Sequence, residues 1–122
     1  MRTLLFLFVL ILSLPGNSQN VTFDWAKQMG STGTDYGESI TVDASGNVYT
    51  IGFFEGTVDF DPGAGVSDLI SNGNFDIFIQ KLNANGDFLW AKKMGGTDAD
   101  RAISVTTDAS GNVYTTGVFY GT

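Results

Sequence analysis

The sequence predicts an all-β chain built from repeated four-stranded antiparallel meanders. Three observations carry that expectation. Laid over itself at an offset of 65 residues, the 122-residue chain matches at 22 of 35 positions between Phe23–Thr57 and Phe88–Thr122. Beyond residue 18, no stretch places apolar residues at helical spacing. Instead, runs of five to eight residues rich in Val, Ile, Thr, Tyr and Phe alternate with clusters of Gly, Asn, Asp and Ser, the pattern of short strands joined by turns.

Residues 1–18 stand apart from this pattern. Arg2 is followed by the apolar run Leu4–Leu12, then Pro15 and the small residues Gly16 and Ser18, which predicts a secretory signal peptide cleaved after Ser18. The run is about half the roughly 20 residues a membrane helix needs, and nothing comparable follows, so no membrane span is expected after its removal. The expected mature chain is 19–122, secreted or displayed at the cell surface. Losing Arg2 leaves 5 basic residues against 13 acids, a net charge of about −8. Such a surface repels phosphate backbones, so nucleic acid is not an expected partner.

The chain has no cysteine, which excludes disulfides, thiolate metal sites and cysteine nucleophiles; packing alone must hold an exported fold together. It also has no histidine, the commonest general base and zinc ligand. No catalytic residues or cofactor-binding residues stand out, and the chain reads as non-enzymatic.

Within one complete unit the alternation predicts four strands at 38–42, 48–54, 75–82 and 88–94, so that a full blade spans 38–94. A lone last strand at 23–29 precedes it and a partial blade at 102–119 follows. The turn Asp43-Ala44-Ser45-Gly46 recurs unchanged at Asp108-Ala109-Ser110-Gly111, with Asn83-Ala84-Asn85-Gly86 as a variant. Asp or Asn first and Gly fourth is the signature of a type I turn with Gly in the left-handed position, an Asx side chain bonding the backbone two residues on. That accounts for the spacing without a calcium loop, whose further acids and terminal Glu are missing.

Along the strands, Phe23, Trp25, Lys27 and Met29 return as Phe88, Trp90, Lys92 and Met94 on one face. Val48, Thr50, Gly52 and Phe54 return as Val113, Thr115, Gly117 and Phe119, while Ile51 and Phe53 change to Thr116 and Val118. A period of two with one invariant face predicts sheet-on-sheet packing with the duplicated Trp and Phe in the core. Four-stranded meanders at this repeat length predict a β-propeller, incomplete here.

The run Trp90-Ala91-Lys92-Lys93-Met94-Gly95-Gly96 followed by Asp108-Ala109-Ser110-Gly111-Asn112-Val113-Tyr114-Thr115-Thr116-Gly117 resembles the SBBP family of bacterial β-propeller repeats. So do Val58-Asp59-Phe60-Asp61-Pro62-Gly63 and Asp76-Ile77-Phe78-Ile79-Gln80-Lys81-Leu82. The resemblance implies a secreted or surface protein of Gram-negative bacteria, usually much longer and often carrying a C-terminal sorting domain. It implies no catalytic residues. The chain departs in having under two units and no sorting domain, which reads as truncation, with a domain-swapped oligomer as the rival.

A blade buries both faces against neighbours, so a chain this short is expected to leave interfaces open. About five large side chains left wet, at roughly 1.5–3 kcal/mol each, would cost about 10 kcal/mol, comparable to the stability of a small domain. The partners expected are further blades of the same protein, self-association, or an extracellular carbohydrate or protein ligand.

Since the turns at 43–46 and 83–86 are minimal, the long connections 57–74 and 95–101 should share the opposite end, where binding is expected. These carry Asp59, Asp61, Asp68, Asp98 and Asp100, and Asp35 is equivalent to Asp100. Asp59 and Asp61 are the candidates for a calcium ion, set against the plainer reading of Asp61-Pro62-Gly63 as a turn. The alternative function is a fragment of a propeller carbohydrate-active enzyme whose catalytic residues lie in other blades. It offers only Glu38 as a strand acid, replaced by Ile103 in the second copy. Asn20-Val21-Thr22 matches a glycosylation sequon beside the cleavage site.

Overall fold

A computed structural model describes residues 22–121. The expected signal peptide, the sequon at Asn20 and the terminal Thr122 lie outside the described residues. Eight strands form: β1 (Tyr36–Val42), β2 (Val48–Phe54), β3 (Thr57–Asp59), β4 (Asp68–Ile70), β5 (Asp76–Leu82), β6 (Phe88–Met94), β7 (Arg101–Thr107) and β8 (Val113–Val118). Among the described residues no helix is long and apolar enough to cross a membrane.

One four-stranded antiparallel sheet has the order β1-β2-β5-β6, a meander in which each strand returns beside the last. β7 and β8 form a separate antiparallel pair in the register of β1 and β2, so the second blade begins as the first does. Even the irregularity repeats: the ladder shifts between Gly37 and Ser39, and again between Ala102 and Ser104, leaving Glu38 and Ile103 as the extra residues of equivalent bulges. The fold is thus an all-β, incomplete propeller of antiparallel blades.

Turn chemistry fixes the hairpins. Asp43 Oδ1 accepts from the Ser45 and Asn47 N–H groups at 2.9 Å, while its Oδ2 accepts from Asn47 Nδ2 at 2.8 Å and the Tyr49 hydroxyl at 3.1 Å. Asp108 makes the same four bonds with Ser110, Asn112 and Tyr114. Gly46 and Gly111 close both turns at φ of 80° and 79°, where a Cβ is disfavoured. One carboxylate therefore uses Ser45, Asn47 and Tyr49 together, which is why these residue types travel as a block.

Both faces of the sheet are buried. On one, Ile51 and Ile77 pack with Ala102 and Val105 of β7, joined by Ile79, Met94 and Val113. On the other, Phe54 and Phe78 pack with Val58 and Phe60, flanked by Met29, Leu69, Phe88 and Ala91. Gly52 recurs at Gly117 for a steric reason. A Cβ on Gly52 would strike the Tyr36 carbonyl oxygen and lie 2.8 Å from Phe78 Cε1, and one on Gly117 would strike the Arg101 carbonyl oxygen.

Three expectations are corrected. Residues 23–29 form no strand: a last strand needs its blade's third strand beside it, and none of the described strands is available. Trp25 instead reaches the neighbouring blade's turn, donating from Nε1 to the Ala84 carbonyl at 3.1 Å above Gly86, while Phe23 is exposed. The duplicated aromatics are consequently not all core, Trp90 being half-buried and edge-on to Tyr49. Finally, the connection 57–74 is not an open loop. Its β3–β4 hairpin folds back onto the sheet, Gln80 Nε2 donates to the Phe60 carbonyl at 2.6 Å, and part of the flank expected to be left wet is covered by the chain itself.

Candidate functional site

The long-connection end carries a polar depression of about 670 Å³, lined by Ser31, Thr32, Gly33 and Thr34 from the segment before β1 and by Glu55, Gly56 and Thr57 after β2. Its walls are set by short local bonds. The Ser31 N–H donates to Asp35 Oδ2 at 2.6 Å, and the Gly33 N–H donates to the Ser31 hydroxyl at 3.0 Å. On the other wall, the Gly56 N–H donates to the Ser71 hydroxyl at 2.9 Å, and the Ser71 N–H returns a bond to the Gly56 carbonyl at 2.9 Å. The volume lies in the range of small-molecule sites, but the lining is hydroxyls, backbone and one carboxylate, suited to a hydroxyl-rich ligand.

At the same end of the strands an aromatic row surrounds Phe53. Tyr36 leans on it with the rings tilted by 31° and their centroids 4.9 Å apart, Phe75 meets it edge-on at 5.3 Å, and the Arg101 guanidinium lies over the Phe53 and Phe75 rings at 5.3 and 5.7 Å. Tyr36 and Arg101 occupy the same repeat position, so the two copies present a different side chain to one shared ring.

The acids singled out in the sequence fare differently. Asp59 ends β3, facing Asp68 in the β3–β4 register. Its Oδ1 accepts from the Ser67 and Asp61 N–H groups at 2.8 and 2.9 Å, and those two bonds, Ser67 first, hold its pKa below the ordinary carboxylate value. Asp61 Oδ1 accepts from the Gly63 N–H at 2.7 Å. Both carboxylates thus order the hairpin connection, and among the described residues they join no group of three or more acids.

Asp98 is exposed, whereas Asp100 is buried, a correction to its expected place on a ligand-facing loop. Asp100 Oδ2 accepts from the Gly96 N–H at 2.7 Å and Oδ1 from the Tyr120 N–H at 2.9 Å, so it pins one loop to the chain twenty residues on. Asp35 repeats the first bond, with Ser31, but its Oδ1 has no hydrogen-bond partner among the described residues. Buried Asp76, in turn, accepts from Lys93 Nζ and the Asn72 N–H, each at 3.1 Å. Glu38 sits exposed at its bulge.

Sequence reasoning searched this end for acids and so passed over Ser31, Thr32, Thr34 and Glu55. The available signal was the run Ser31-Thr32-Gly33-Thr34, equivalent in the repeat to the segment before β7. At the opposite end the two identical turns lie side by side and enclose a second cleft of about 130 Å³ between Asp43–Ser45 and Asp108–Gly111. The carboxylates of both turns already accept four bonds each, leaving that cleft little free capacity.

Residues 24–52 match the family described as "Beta-propeller repeat", SBBP, so the chain carries an SBBP-type propeller repeat. The matched stretch runs from the segment over the Gly86 turn through β1 into β2. A curated relative, described as an uncharacterized WD repeat-containing protein of Acanthamoeba polyphaga mimivirus, is 30% identical over 118 residues. The alignment takes in 85% of this chain and 8% of the relative, whose name denotes another repeat protein and whose source is a virus. No solved structure matches the chain.

Proposed function

We propose that this propeller-repeat module is exported and acts by binding, without turnover, a hydroxyl-rich extracellular ligand of the carbohydrate class at the long-connection end. The single observation behind this is the cleft of about 670 Å³ whose walls are Ser31–Thr34 and Glu55–Thr57. At the same end of the strands, Tyr36 offers an exposed ring and Arg101 an exposed side chain, groups suited to stacking and to hydrogen bonding. Export is supported by the leader-like residues 1–18.

The carbohydrate-active enzyme reading draws no support from this cleft. Glycoside hydrolysis uses two carboxylates across the scissile bond, and the lining supplies one, Glu55. A screen of immobilised oligosaccharides, followed by calorimetry on the best binder, tests the proposal. Glu55→Ala and Thr32→Ala should each weaken binding about tenfold, the worth of one well-placed hydrogen bond. Binding unchanged by both substitutions would move the site elsewhere, and release of reducing sugar would overturn the non-catalytic reading. Export is checked separately by N-terminal sequencing of the protein from culture medium or surface fractions, which should begin at Gln19.

A further inference from the structure

We propose that the junction between β6 and β7 binds a hard divalent cation, held between the carboxylates of Asp76 and Asp100. Asp76 opens β5 and is 0% exposed; Asp100 immediately precedes β7 and is 1% exposed. Asp76 Oδ2 is engaged by Lys93 Nζ and the Asn72 N–H, but its Oδ1 is buried with no hydrogen-bond partner among the described residues. That orphaned oxygen meets the second carboxylate at Gly95. A Cβ built on Gly95 would lie 2.6 Å from Asp76 Oδ1 and 2.8 Å from Asp100 Oδ2, so two acidic oxygens converge on the space that the glycine leaves free.

Charge points to a cation as the missing partner. Lys93 brings one positive charge to two buried carboxylates, and a buried charge left uncompensated is strongly destabilising. Asp100 Oδ2 accepts from the Gly96 N–H, and a carboxylate oxygen has a second lone pair with which to ligate. Carboxylate oxygens are the ligands hard cations prefer, and such an ion completes its shell with water. Gly95 and Gly96 are half-buried, so its approach passes over backbone that carries no side chain. The first copy shows what the second aspartate adds. Asp35 accepts from the Ser31 N–H as Asp100 does from Gly96, but the three atoms nearest a Cβ on Gly30 all belong to Asp35 itself. The pairing therefore supplies one site, and it does not depend on the carbohydrate ligand proposed above.

Thermal unfolding of the whole chain tests this, in EDTA and in millimolar calcium or magnesium, with sodium chloride at matched ionic strength as the reference. Calcium or magnesium should raise Tm by about 5 °C, and calorimetry with the same ion should count one site per chain. Asp76→Asn and Asp100→Asn should each remove the shift and the binding heat, whereas Asp35→Asn should keep both. Lys93→Met takes away the competing ammonium and should tighten binding about tenfold, which reads the site even where an aspartate variant fails to fold. No shift and no heat with either ion, a shift that sodium chloride reproduces, or unchanged affinity in Lys93→Met would each overturn the proposal. So would binding that survives both aspartate substitutions, or that is lost with Asp59→Ala, which would put the ion at the β3–β4 connection.

Discussion

The octapeptide Asp43–Thr50 and its identical copy Asp108–Thr115 fold into the same turn and inhabit different environments. Tyr49 is 1% exposed and Tyr114 55%, although both hydroxyls donate to the first Asp of their own turn. The contrast is as large one strand end further on, where Phe54 is fully buried and Phe119 is 58% exposed. Local hydrogen bonds are therefore specified by local sequence, whereas burial depends on what stands opposite. In the first blade that is β5 at the strand edge, β7 on one face and the β3–β4 hairpin on the other. For Tyr114 and Phe119 no equivalent of β5 or of the hairpin is present among the described residues.

The sharpest way to break the comparison is Phe54→Ala against Phe119→Ala. The first leaves a cavity among Val58, Phe60 and Phe78 and should cost about 3–5 kcal/mol in denaturant unfolding. The second should stay within about 0.5 kcal/mol. Equal losses would mean that Phe119 is covered in solution.

A smaller effect in the reverse sense is expected at Val105, buried in the second copy, and its exposed equivalent Ile40 in the first. Val105→Ala should cost about 2 kcal/mol and detach β7 from Ile51, whereas Ile40→Ala should change monomer stability little. Hydrogen exchange along β7 and β8 distinguishes detachment from global loss. Smaller again are the turn glycines: Gly46→Ala and Gly111→Ala each force a Cβ into the left-handed region, at about 1–2 kcal/mol. Gly46→Ala should be the worse of the pair, since its Cβ would come within 3.2 Å of Ala84 Cβ while that of Gly111 meets nothing within 4 Å.

The smallest effect is a titration. Asp43 is lowered from its ordinary 3.8 to about 2, chiefly by the Asn47 side-chain amide and then by the N–H and hydroxyl donors around it; Asp108 is lowered in the same way. A folded-state value below the unfolded one means that these carboxylates contribute stability above about pH 4. That contribution fades as pH falls from 4 towards 2. Carboxyl-carbon NMR should place Asp43 well below an ordinary aspartate, and Asn47→Ala should move it upward. An Asp43 that titrates normally in the folded chain would contradict the four-bond turn.

Much of the blade was legible because its signals are short-range. Asp43 and Asn47 are four residues apart, and alternation along Val48–Phe54 requires only that a strand has two faces. The β3–β4 hairpin was not legible. Three-residue strands carry too little alternation to register, and their covering role depends on Phe60 meeting Phe78 and Gln80, distant in sequence. Residues 23–29 look like β6 and yet form no strand, because a ladder needs a neighbour that composition does not reveal. Of the candidate site, repeat parity indicated the long-connection end, whereas its acids Asp59, Asp61 and Asp100 drew attention that the fold answers by using them as internal acceptors.

By itself the sequence determined an all-β repeat, its turns, its strand faces and the end at which long connections gather. These follow from hydrogen bonds and alternation within about ten residues of chain. The tertiary structure alone decided which copy of each repeated side chain is dry, which aspartates are structural, and that hydroxyls, backbone and the single carboxylate of Glu55 line the open cleft. Burial and free bonding capacity belong to pairs of surfaces, and a repeated sequence supplies the same surface more than once without stating what it will meet.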